Sequence, residues 1–89
     1  MNFNLISIIG LLAAALTSLS YIPQAKKAAP KGATEDLSLK MLLALFGGLA
    51  LWILYGVGMA DAVIVIANVI GCGLVGFVLY CKIRDLRKS

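Results

Sequence analysis

Histidine is absent from this chain, cysteine occurs twice, and no Asp, Glu, Lys or Arg lies in the interior of its three long apolar runs. Each absence removes a class of function. With no imidazole and only two thiols, a metal centre lacks a ligand set. No nucleophile is paired with a base, so no enzyme is expected, and no cofactor. Proton or ion coupling, and export of cations against a buried carboxylate, rely on an ionisable group at membrane depth, and none is present. Strands of about ten alternating residues, as a membrane barrel requires, are missing as well, and no segment repeats.

What remains is strongly apolar. Of 89 residues, 62% are hydrophobic and 13% charged, outside the balance of a soluble domain. Cys72 and Cys81 lie nine residues apart in the third run, about 13.5 Å along a helix, too far for an internal disulfide; they read as small packing residues.

Lys and Arg are also missing from two particular places, the N-terminal stretch and the connection around Asp61. A cleavable signal would need a basic segment before its apolar core, so Asn2 to Leu19 is expected to stay in the mature chain. All eight basic residues fall in two clusters: Lys26, Lys27, Lys31 and Lys40 between the first two runs, and Lys82, Arg84, Arg87 and Lys88 after the third. Cytoplasmic segments hold the excess of Lys and Arg, so the N-terminus lies outside, the first loop inside, the second outside and the C-terminus in the cytoplasm. As topology determinants these cations also favour anionic lipid heads, and they leave no basic-aromatic patch for nucleic acid.

The first run spans Phe3 to Ile22, about 30 Å as a helix, the thickness of a bilayer core. Ala25 to Ala29 can extend it, and Pro30-Lys31-Gly32 then break it. Thr34-Glu35-Asp36 falls in the turn, and Ser38 is placed to start the second helix. Unpaired backbone is excluded from lipid, so the runs are read as transmembrane helices over about 3–29, 39–59 and 62–81, one unit across residues 1–89. The fold class is an all-α membrane protein, a triple-helix bundle.

Seven of the nine glycines lie in the second and third runs. Ala44, Gly48, Trp52 and Gly56 recur at helical spacing; such small residues either let helices approach closely or leave room beside Trp52 and Asn68. Trp52 lies seven residues before Met59 and Asn68 seven after Asp61, which puts both about 10 Å below the outer boundary on antiparallel neighbours. An indole offers an apolar face and one donor, and an amide two donors and an acceptor, a combination suited to a sugar. Asn68 taken alone equally suits an interhelical hydrogen bond. Pro23 removes a backbone donor and frees the carbonyl of Leu19, making either a static kink or a hinge for the inner end of the first helix, with Gln24 beside it.

Pro23-Gln24 at the end of the first helix, Trp52-Ile53-Leu54-Tyr55-Gly56 in the second and Ala67-Asn68-Val69 in the third resemble the bacterial SemiSWEET sugar transporters of the PQ-loop superfamily. The resemblance covers essentially the whole chain. It implies a parallel 3+3 homodimer in the bacterial inner membrane, with a sugar pocket on the shared axis and facilitated, uncoupled diffusion of mono- or disaccharides by alternating access. On this likeness Trp52 and Asn68 contact sugar and Pro23-Gln24 form the hinge. Tyr55 and Asp61 sit at the outer gate, and Tyr21 and Met41 near the inner gate. Some relatives carry an Arg between the Tyr and the Asp. This chain has Val57-Gly58-Met59-Ala60 instead, so closure is expected from Tyr55 and apolar packing around Met59, with Asp61 hydrogen-bonded or solvated. Carriage of another solute, an unselective pore, or an accessory role in a larger complex are the competing readings.

Overall fold

A computed structural model of the chain describes residues 4–88 and folds them into three helices, α1 (Leu5–Ala28), α2 (Leu39–Gly58) and α3 (Ala62–Lys88). Phe3, where the first apolar run begins, lies outside the described residues. All three helices are long and apolar enough to cross a membrane. Each begins at a short polar side chain that supplies an acceptor for its unpaired first turn. Asn4 accepts from the Ser7 N–H at 2.8 Å, and Ser38 from that of Met41 at 3.1 Å. Asp61 Oδ1 accepts from the N–H groups of Val63 and Ile64 at 3.0 and 3.2 Å.

The turn between α2 and α3 is equally compact. The Asp61 N–H donates to the Gly56 carbonyl and the Ala60 N–H to that of Val57, the double closure that ends many helices. The residue that must turn left-handed in this motif is Ala60, with φ of +53°, where glycine is usual.

In space α3 lies between the other two helices; among the described residues α1 and α2 make no close backbone approach to each other. The Cα envelope measures 50 × 23 × 14 Å, close to a single layer of helices. Helices adjacent in the layer approach through small residues, since lipid gives no hydrophobic drive between them. A Cβ on Gly56 would stand 2.8 Å from the Ile64 side chain, one on Gly10 3.1 Å from Val63, and one on Gly71 3.2 Å from the Tyr21 ring. Gly48, by contrast, has nothing within 4 Å and borders a groove beside Trp52. The two readings of the small-residue stripe are therefore divided between its members: Gly56 gives close packing and Gly48 gives room.

The order α1–α3–α2 makes residues 29–38 pass beneath the C-terminal end of α3, and a polar clamp forms where they cross. Asp85 accepts from Thr34 Oγ1 at 2.6 Å, from the Thr34 N–H at 3.3 Å and from the Gly32 N–H at 3.1 Å. Gly32 reaches that position with φ of +82°. Lys82 donates to the Thr34 carbonyl, and Arg84 to the carbonyls of Ala28, Ala29 and Pro30, the acceptors left open where α1 stops. Arg84 Nε also pairs with Asp85 at 2.9 Å. The buried core sits just above, from Ala25, Ala28, Leu42, Val75, Val78, Leu79 and Cys81.

Two sequence expectations are corrected here. The third helix does not end near residue 81 with a basic tail; it continues to Lys88, because Lys82, Arg84 and Asp85 find partners on the loop. For the same reason Lys82 and Arg84 do more than set topology. The other boundaries move by one or two residues, α1 ending at Ala28 instead of 29 and α2 at Gly58 instead of 59.

Candidate functional site

Trp52 and Asn68, sixteen residues apart in sequence, line one cavity of about 370 Å³ whose walls come from all three helices. α1 faces it with Gly10, Ala13, Ala14, Thr17, Ser18 and Tyr21, the 3–4 spacing of one helix face. Small residues at the Gly10 end give width, and the two hydroxyls and the phenol add polar groups. No lining residue is charged.

Asn68 donates from Nδ2 to the carbonyl of Ile64, one turn back on its own helix, at 2.7 Å. The interhelical bond that an isolated Asn in a span suggests is not made. This local bond holds the amide in place; among the described residues its Oδ1 takes no hydrogen bond, so one acceptor and one N–H are left for the cavity. Trp52 is 53% exposed in the single chain, and its ring meets Tyr55 edge to face, with centroids 5.4 Å apart at 87°. That contact fixes the indole plane and leaves its face open.

Residues expected at the outer gate do not all fall together. Met59 and Asp61 share a hollow of about 360 Å³ with Ile6 and Ser7, and Gly10, Val63 and Ile64 line both this hollow and the central cavity. Tyr55 instead faces the groove of Gly48, Leu51 and Trp52. Asp61 is hydrogen-bonded as the cap of α3.

Tyr21 lines both the central cavity and a second one of about 280 Å³ towards the inner end. Met41 and Gln24 line that inner cavity too, over an apolar floor of Leu45, Leu74 and Val78. Pro23 borders neither; it lies within α1, which runs on unbroken to Ala28. Thr17 and Ser18 also line the cavity, and sequence reasoning passed over them. Their signal was a polar pair one turn before Tyr21 in an otherwise apolar run.

A family model described as "Sugar efflux transporter for intercellular exchange" matches residues 4–85. A protein of Leptospira biflexa serovar Patoc called sugar transporter SemiSWEET is 35% identical over 79 residues, covering 89% of this chain and 93% of that one. One of the same name from Bradyrhizobium diazoefficiens is 39% identical over 80 residues, covering 90% and 93%. A solved crystal structure, of a bacterial homologue of SWEET transporters, superposes with a TM-score of 0.80 at 32% identity, covering 92% of this chain and 99% of that chain. With the family model and the relatives alike spanning nearly its whole length, the chain belongs to the SemiSWEET family of transporters, which is not a family of enzymes.

Proposed function

We propose that the protein is a sugar transporter that works as a parallel homodimer in a bacterial inner membrane, carrying mono- or disaccharides down their gradient by alternating access. The observation that carries this reading is the uncharged cavity in which an indole face, an amide and two hydroxyls converge. Such a lining matches the C–H faces and hydroxyls of a sugar, and offers nothing to carry a coupled proton.

The geometry supports a dimer. A single layer of three helices cannot enclose a solute, and Trp52 stays half-exposed on it; a second copy across the same face would close the path. The Lys and Arg distribution orients the chain with its N-terminus outside and C-terminus in the cytoplasm. Bending at Pro23-Gln24 would open the two sides in turn, with Tyr21 and Met41 closing the inner side, and Tyr55, Met59 and Asp61 standing at the outer side. Because Arg84 holds the end of α1 to α3, the segment of α1 beyond Pro23 moves with α3, and the bend displaces the outer segment against that body.

Trp52→Ala in proteoliposomes should reduce saturable glucose or sucrose uptake by about tenfold or more, since it removes the main stacking surface. The variant should remain a folded dimer by size-exclusion chromatography. Wild-type uptake by that variant would refute the pocket, and uptake by the wild type that follows an imposed pH gradient would favour a proton-coupled carrier of another solute.

A further inference from the structure

The inner cavity has a feature the central one lacks: two opposite charges on its rim. Lys27 of α1 and Asp36 of the connecting loop both line it, together with the Gln24 amide and the Tyr21 phenol. Neither charge has an ion-pair or hydrogen-bond partner among the described residues, although a salt bridge and several side-chain hydrogen bonds form in the neighbouring clamp. The backbone that carries each of them is anchored. The backbone just after Lys27 is held by Arg84 at Ala28, Ala29 and Pro30, and Thr34, two residues before Asp36, is held by Asp85 and Lys82. Two exposed charges that do not neutralise each other, carried on anchored backbone beside an apolar floor, can receive a neutral ligand with both donors and acceptors.

We propose that this inner cavity is a second saccharide subsite, a vestibule on the cytoplasmic side of Tyr21. In it Lys27 donates to a sugar oxygen and Asp36 accepts from a sugar hydroxyl. This rests on the reading of the protein as a sugar carrier. Hydrogen bonds to charged groups are among the stronger neutral-ligand contacts, so the vestibule concentrates sugar at the inner mouth. It has no counterpart in the central cavity, whose lining is uncharged. The two faces of the carrier should therefore differ in apparent affinity.

The test uses the full-length protein in right-side-out and inverted membrane vesicles, with radiolabelled glucose and sucrose as probes. Lys27→Ala and Asp36→Ala should each raise KM for sugar presented at the cytoplasmic face by about tenfold, the worth of one charge-assisted hydrogen bond, and keep KM at the outer face within about twofold. A passive carrier must keep kcat/KM equal in both directions, so kcat from the cytoplasmic face rises with KM. Thermal unfolding of both variants should match wild type, because neither side chain holds the clamp. Equal KM shifts at both faces, no shift at either, or a fall in kcat both ways at constant KM would overturn the subsite; the last would make the two charges a conformational latch. Absence of saturable transport of either sugar by the wild type would instead refute the carrier reading itself.

Discussion

Asp61 shows how one side chain can stand in two places at once. By its place near the outer end it resembles a gate residue, yet its carboxylate accepts from the first N–H groups of α3 while its own N–H closes the end of α2. Asn caps a helix as well as Asp does but carries no charge. Asp61→Asn should therefore keep both transport and thermal stability. Asp61→Ala should cost about 1 kcal/mol of stability and lose transport only in proportion to the folded fraction. Loss of transport by Asp61→Asn with a normal thermal midpoint would show that the charge itself works at the gate. That Trp52 and Asn68 line one cavity was legible, because each is conspicuous in an apolar helix and their spacing puts them at one depth. Thr17 and Ser18 were not, since hydroxyls bond back to their own helix readily and so pass unnoticed in spans.

At the scale of elements, the helix starts at Ser38 and the break at Pro30-Lys31-Gly32 could be read locally, because caps and breakers act over a few residues. The end of α3 could not. Lys82, Arg84 and Asp85 stay helical because of acceptors and donors some fifty positions earlier, and sequence order gives no sign of that meeting. Thr34 is the centre of the clamp, fully buried and bonded through its hydroxyl, its N–H and its carbonyl. Thr34→Val keeps the shape and removes the hydroxyl, and should destabilise the protein by about 1–3 kcal/mol. Thr34→Ser should keep most of that. The comparison of thermal midpoints in detergent decides it, and equal midpoints for Val and Ser would show that packing, not the Asp85 bond, holds the loop.

For the whole molecule, composition alone established three spans, and the Lys and Arg pattern gave an orientation to test. Lateral order did not follow from either. Short connections usually join neighbours, and nothing in residues 29–38 announces that they cross beneath a third helix. The close approach of Gly56 to Ile64 and of Gly10 to Val63 seats both other helices on α3, which therefore takes the middle place.

Lateral order also governs how such a chain is made. During synthesis the two earliest spans emerge with no surface for one another, and their natural companion is still inside the ribosome. A nascent product halted after Asp61 is a couple of strangers in lipid, its crossing segment dangling without Asp85 to grip. Pulse-chase labelling should find that fragment degraded much faster than the complete chain, and co-expression of the missing span as a separate peptide should prolong its life.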